Sequence, residues 1–409
     1  MKRKILYISM CLPFDKAFHA GGKTFNYYIN SFANDSDNEV TLIAKVLPDE
    51  ERYVDTVNKN IRFYSVSAPK FGFKKYYSYL KSLNSKLNPV YKYGNTLTRD
   101  IYDQIEEKMK ALQVDGYAPD IVILEWTSML LFVERVKKYF PLAKIVASEH
   151  DVTFLGKKRK YETSKGMLKK ELNYVRYSNI KKRELAAIHQ CDLVVTHNEK
   201  DRQLLIANSV LKEKLGVIAP YYDSFPSTKR TSQKGNIIYY GAMNRIENSS
   251  SALWFIENVM PRLKDEDVKF TIIGNKPPQE LVNKRSEKIV ITGFVDDPAP
   301  YFENAMCLVA PLLLGAGVKV KIIEALSSGV PVITNDIGIE GIDANDGVEY
   351  LHATEPIDYE NIIRKMILGE IDTNAISSNA INLIRENYNL SKSFAQYSRR
   401  VYALLKNGG

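Results

Sequence analysis

The stretch CLVAPLLLGAGVKVKIIEALSSGVPVIT, residues 307–334, orders the reading of the whole chain. A short apolar run ends at Pro311, Gly315-Ala316-Gly317 supplies a tight turn, and from Val318 onward apolar residues recur at helical spacing. Gly329 suits the C-cap of that helix, and Pro331 opens the next apolar run. A helix that begins near Val318 behind a glycine loop presents unpaired backbone N–H groups and a positive dipole end, which suits a diphosphate. Lys319 and Lys321 add positive charge at that end, and Gly317, Val318 and Lys319 are expected to line it. Glu324 stands five residues into the helix, where a carboxylate can accept hydrogen bonds from ribose hydroxyls, as in dinucleotide sites. An exposed helix carboxylate would show the same spacing.

The same alternation of short Ile- and Val-rich runs with helical stretches extends in both directions. Runs at 5–8, 40–44, 61–66, 121–124, 144–148 and 193–196 precede a turn-rich connection around Pro220, and runs at 237–240, 269–273, 289–292, 307–310 and 331–334 follow it. Such alternation implies parallel strands joined by helices, written twice. The expected fold class is therefore α/β, with two Rossmann-like domains in tandem. The expected boundaries are 1–220 and 221–385, followed by a C-terminal helix, 386–409, able to cross back onto the first domain.

With 409 residues and 45% apolar content the chain can bury two cores. Cys11, Cys191 and Cys307 are odd in number, far apart and set in apolar surroundings, which suggests neither a disulfide framework nor a zinc site. Lys2-Arg3-Lys4 ahead of an apolar run imitates a secretory signal, but the run is short and holds Pro13. A first buried strand leading to a glycine loop at Gly21-Gly22 is the preferred reading. No run reaches the ~18 apolar residues of a membrane span, and the best candidate, 121–133, is interrupted by Glu125. The expected location is the cytoplasm, with a peripheral place on the inner face of the cell membrane.

The net charge of +9 is concentrated, with basic and aromatic residues interleaved over 71–93 and again over 157–183. That pattern asks for an anionic partner, and nucleic acid, an acidic membrane surface and phosphorylated substrates all qualify. A solvated face on two lysine-rich helices is the plainer alternative.

The segment 307–341 resembles the donor-site signature of GT-B glycosyltransferases, in particular the retaining glycosyltransferase family 4. Thr292-Gly293-Phe294-Val295-Asp296-Asp297, with Tyr301-Phe302 and Ala305, is similar to that family's strand, base-binding loop and short helix before the signature. Gly241-Ala242-Met243, Asn248 and Trp254-Phe255 resemble the opening of its second domain, and Ile272-Ile273-Gly274 the next strand. The resemblance is strong over 237–341 and weaker before it. It implies a fold of two Rossmann-like domains facing each other across a cleft, the first for the acceptor and the second for a nucleotide-sugar donor.

The resemblance also implies site residues. Gly21 and Gly22 match the glycine pair that approaches the donor phosphates, and His150 in Ser148-Glu149-His150-Asp151 matches a histidine close to the donor sugar. Arg245, Gly274, Val295, Gly317, Val318, Lys319, Lys321 and Glu324 are the expected donor-binding set, with His150, Lys321 and Glu324 nearest the chemistry. Two departures stand out: Ala316 occupies the place of the first glutamate of the family's Glu-x7-Glu pair, and its Arg…Lys pair is reduced to Arg245.

The implied reaction moves a sugar from a nucleoside diphosphate to an acceptor hydroxyl with retention, in bacterial cell-surface polysaccharide or glycoconjugate synthesis. Neither a cofactor nor a metal is expected, since charge on the leaving diphosphate would be met by Lys319, Lys321, Arg245 and the helix dipole. Asp35-Ser36-Asp37 and Asp265-Glu266-Asp267 match the Asp-x-Asp pattern of metal-dependent transferases but are read as surface turns. A saccharide or lipid-linked saccharide is the expected acceptor. The alternative is a catalytically silent GT-B-like binding or scaffold protein, motivated by Ala316. A nucleic-acid binder lacks any module beyond charge, and a dehydrogenase lacks the third glycine at Val320.

Overall fold

The computed structural model describes residues 2–15, 17, 20–67, 97–223, 233–314 and 317–406. It divides into two compact units, Met1–Tyr221 with Leu390–Gly409, and Tyr222–Asn389.

The first unit is built on β1 (Arg3–Ser9), β2 (Asn38–Lys45), β3 (Ile61–Val66), β4 (Ile121–Glu125), β5 (Lys144–Glu149), β6 (Leu193–Thr196) and β7 (Leu215–Val217). All pair in parallel in the order β3-β2-β1-β4-β5-β6-β7, so the chain reverses its direction of winding between β1 and β4. Ligands of such sheets bind outside the carboxyl ends of the strands at that reversal. The runs are apolar on both faces because helices cover both. Leu6, Ile8, Val122 and Leu124 pack on one side, and Ile5, Tyr7, Ile121 and Ile123 on the other. The signal-like start is thus the central strand of a sheet, and all three cysteines are free and buried.

The second face is closed by the Ala20–Ala33 helix and by the C-terminal Leu390–Lys406 helix, whose Phe394 and Tyr397 meet Phe32 edge to face. Tyr28 donates from its hydroxyl to the Ala219 carbonyl at 2.9 Å and pairs with Ser393 Oγ at 2.7 Å. Arg400 donates to the Leu215 carbonyl at 2.7 Å. These bonds anchor the C-terminal helix in the first unit.

The second unit carries β8 (Asn236–Tyr240), β9 (Lys269–Ile273), β10 (Ile289–Gly293), β11 (Cys307–Ala310), β12 (Val332–Thr334) and β13 (Leu351–His352). Their parallel order is β10-β9-β8-β11-β12-β13, with the reversal between β8 and β11. Each of the eleven expected runs is a strand. The edge strands β7 and β13 were not anticipated, being only three and two residues long.

Three expectations require correction. Gly21 and Gly22 lie in the first turn of the Ala20–Ala33 helix, not in a loop ahead of it. The signature helix runs Val320–Ser327, so Val318 precedes it and Lys319 is its N-cap. The expected C-terminal helix, 386–409, runs Leu390–Lys406 and is preceded by a separate helix, Thr373–Asn387, and the units part between Asn389 and Leu390, four residues past the expected point. The preceding helix stays with the second unit because it buries Ile376, Ala380 and Ile384 there. The expected turn at Gly315 and Ala316, most of the linker and the basic aromatic stretch 71–93 lie outside the described residues.

Candidate functional site

In the first unit, side chains gather at the carboxyl ends of β4, β5 and β6. Glu125 ends β4, and its buried carboxyl meets His150 Nε2 at 2.6 Å and accepts from Ser148 Oγ at 3.0 Å. One proton lies in that short contact, on the imidazole or on the carboxyl. Burial pushes the Glu125 carboxyl up to about 7, against the lowering influence of His197 and of the Ser148 hydrogen bond.

Trp126 stacks on the His150 ring at 3.7 Å between centroids and 14° between planes. Its backbone has φ 86, which a bulky residue adopts only under constraint. The constraint is visible in its N–H, which donates to the Ser148 carbonyl at 3.1 Å, and its carbonyl, which accepts from Met129 at 2.8 Å. The strained turn lays the indole against the imidazole. Gly21 completes the packing, because a Cβ there would fall 2.3 Å from Trp126 and 3.0 Å from His150 Nδ1. Gly21 and His150, far apart in sequence, are therefore neighbours.

Behind them His197, at the end of β6, tilts against His150 with centroids 4.4 Å apart. Burial, reinforced by His150, depresses its imidazole to about 3, so it stays neutral across the physiological range. Deeper still, Glu149 accepts from Thr127 Oγ1 at 2.9 Å, and burial holds its carboxyl well above the usual carboxylate range, with Asp151 and Asp201 adding to the effect. Glu125, Trp126 and His197 were not among the expected site residues. The signal available was Glu125 itself, a charge at the end of an otherwise apolar run.

In the second unit the carboxyl ends of β8, β9 and β10 are capped by Gly241, Gly274 and Gly293, all at positive φ. A Cβ on Gly274 would lie 1.7 Å from the Gly241 carbonyl oxygen, so the close approach of the two loops requires glycine. Lys321, in the first turn of the Val320–Ser327 helix, reaches this edge. Its Nζ donates to Tyr239 OH at 2.9 Å and Asn248 Oδ1 at 2.7 Å, and stands 4.5 Å from the centre of the Tyr239 ring. Asn248 in turn donates to the Ala242 carbonyl at 2.9 Å, which ties the lysine to the glycine loop. Burial lowers Lys321 to about 7, helped by Lys319 and Arg245 and opposed by Glu247 and Glu324. A lysine beside a helix N-terminus has the chemistry to meet an anion.

Glu324 is buried on the same helix and accepts from the Asp223 amide at 3.4 Å. The other expected cations are engaged within the unit. Lys319 donates to the Gly317 carbonyl at 2.5 Å and lies 3.7 Å from Glu340, while exposed Arg245 pairs with Glu247 at 2.5 Å. Val295 follows β10 at the same sheet edge, and Val318 precedes the helix. The structure thus brings Gly274, Lys321 and Arg245 to one edge of the second sheet, and Gly21 and His150 to one edge of the first. The two aspartate patterns fall elsewhere. Asp35 and Asp37 precede β2 and bind Arg3, and Asp265-Glu266-Asp267 precedes β9, with Glu266 bound to Arg364.

Two parallel α/β units, each with polar groups at its strand ends, define a protein of the GT-B fold. Residues 234–368, within the second unit, match the family described as Glycosyl transferases group 1. A curated Klebsiella pneumoniae protein, described as an uncharacterized 44.6 kDa protein in cps region, is 25% identical over 201 residues, 45% of this chain. The match spans 51% of that relative, about half its length. Among solved structures, Anabaena HepE in complex with UDP is similar at a TM-score of 0.66 and 12% identity, covering 98% of this chain and 100% of that one. Sucrose-phosphate synthase from Thermosynechococcus elongatus aligns at 0.70 and 13% identity, over 100% of both chains. The lipopolysaccharide outer core galactosyltransferase WaaB aligns at 0.63 and 14% identity, over 98% of this chain and 99% of that one. At these identities the likeness is one of fold.

Proposed function

We propose that the protein transfers a sugar from a nucleoside-diphosphate sugar to an acceptor hydroxyl, with retention and without metal. The observation that carries the reading is Lys321, held at the glycine-capped edge of a family-matched sheet with its charge poised by burial. In the reaction the bond from the anomeric carbon to the diphosphate breaks and a bond to the acceptor oxygen forms, the acceptor proton passing to the departing diphosphate. Lys321 and the helix N-terminus would stabilise the charge that develops on the leaving group. Glu324 would hold the ribose, and His150, fixed by Glu125 and Trp126, would orient the sugar.

UDP is the first donor base to test, since the HepE complexes contain UDP and UDP-glucose. A saccharide or lipid-linked acceptor in bacterial cell-surface synthesis is supported by the cps-region relative and by the lipopolysaccharide role in the WaaB and WaaG names. A cytoplasmic place at the inner membrane face fits such an acceptor. Among the described residues no helix is long and apolar enough to cross a membrane.

The test is a thermal-shift screen against UDP, GDP, ADP, CMP and dTDP with and without magnesium, because a ligand of the native state stabilises it. Stabilisation by one nucleotide without metal supports the reading. No shift at millimolar concentrations would instead favour the silent binding protein that Ala316 suggested.

A further inference from the structure

The connection from β5 to β6 in the first unit is larger than a crossover needs. It holds two helices, Thr153–Glu162 and Met167–Ile188, packed as a hairpin that leaves the sheet next to His150. The hairpin is well braced. The Glu184 carboxylate accepts from the Thr153 and Phe154 amides at 3.0 and 3.2 Å, Asn173 donates to Ser164 Oγ at 2.7 Å, and Tyr161 lies 5.3 Å from Tyr174 between ring centres. Asn173, Glu184 and Ile188 are the buried positions of the long helix.

Its opposite face is apolar and open. Leu168, Leu172 and Val175, at i, i+4 and i+7, are 89%, 51% and 52% exposed, and Met167 beside them is 83% exposed. A row of this kind on a soluble surface needs a covering. Between 157 and 183 the sequence carries eleven Lys and Arg against two Glu, enough to account for the net charge of +9.

We propose that this hairpin docks the first unit on an anionic lipid bilayer, with Met167, Leu168, Leu172 and Val175 entering the interface and the flanking lysines meeting headgroup phosphates. The combination decides the occupant. A polyanion such as RNA would be held by the lysines alone and has no use for the apolar row. A second copy would bring two strongly basic hairpins together, which like charge opposes. A bilayer offers an apolar layer under an anionic one in the order the helix presents them. The inference deepens the proposed membrane location and names its surface, yet it does not depend on sugar transfer.

The experiment is flotation of the full chain with vesicles of phosphatidylcholine, alone or mixed with phosphatidylglycerol. Wild-type protein should float with the mixed vesicles and weakly with phosphatidylcholine. The double variant Leu168→Ser, Leu172→Ser should bind roughly tenfold more weakly, with unchanged melting because both side chains face solvent. Should that variant unfold, Lys169→Glu with Lys170→Glu, also exposed, should lose binding to the mixed vesicles by at least roughly tenfold. Failure of wild type to float, a serine variant that binds like wild type, or a dimer that the serine variant dissolves would each overturn the proposal. Vesicle binding without any nucleotide response would leave docking intact and sink the transferase reading, and the reverse result would separate them the other way.

Discussion

Lys321 makes a quantitative forecast: burial lowers its ammonium to about 7, and a diphosphate bound beside it would raise it again. An opposite charge within a few ångströms raises an ammonium by roughly one to three units, and we take about two. At pH 8 roughly one free molecule in ten would carry the proton and about nine in ten bound ones, an uptake of about 0.8 proton per nucleotide. At pH 6 the group is largely protonated already, and the uptake falls to about 0.1. The terminal phosphate of a nucleotide titrates near about 6 and is ionised at pH 8, so it contributes little there. Calorimetry of UDP binding at pH 8 in buffers of different ionisation heat reads the number directly. Lys321→Met should abolish the uptake and weaken binding, whereas Lys321→Arg should abolish it while keeping the charge. Binding without uptake at pH 8, or uptake that survives in Lys321→Met, would refute the assignment of this lysine to the diphosphate.

Glu324→Gln should weaken nucleotide affinity by roughly tenfold, the scale of one charge-assisted hydrogen bond. Equal affinity in wild type and variant would remove Glu324 from the site. Burial raises the Glu149 carboxyl to about 8 from an ordinary 4.5, so it carries no penalty below pH 4.5 and a destabilisation that grows from there up to about pH 8. Glu149→Gln should therefore raise stability at pH 8 by on the order of 1 kcal/mol and change it little at pH 4, as urea unfolding at the two pH values would show. Gly274→Ala should destabilise by about 3 kcal/mol or more, since its φ of 155 and the Gly241 carbonyl both reject a side chain. A change below about 1 kcal/mol would mean that the loops can part. Gly21→Ala should push Trp126 off His150, with a change in tryptophan emission and a loss of turnover on the order of tenfold.

Much of this protein was legible in its sequence because parallel strands buried on both faces announce themselves as short apolar runs. Eleven of the strands needed no other information, and neither did the doubling of the pattern on either side of Tyr221. The signature stretch likewise carried its own meaning: proline, glycine and a helix start in fixed order oblige the backbone to turn where Lys319, Val320 and Lys321 follow. The short edges β7 and β13 escaped because two or three residues leave no period to detect.

What the sequence could not show was how each candidate charge is held. Lys319, Lys321 and Arg245 look alike in a string, and only packing shows Glu340 beside the first, Glu247 beside the third, and Tyr239 with Asn248 under the second. Burial, a property of the assembled unit, then sets Lys321 near neutrality. Similarly, His150 was visible as a candidate, but its partners Glu125, Trp126, His197 and Gly21 come from four separate stretches. Local rules determined the elements, because hydrophobic period and turn chemistry act over a few residues. The tertiary structure decided the site, because desolvation and hydrogen bonding depend on neighbours that the chain order does not name.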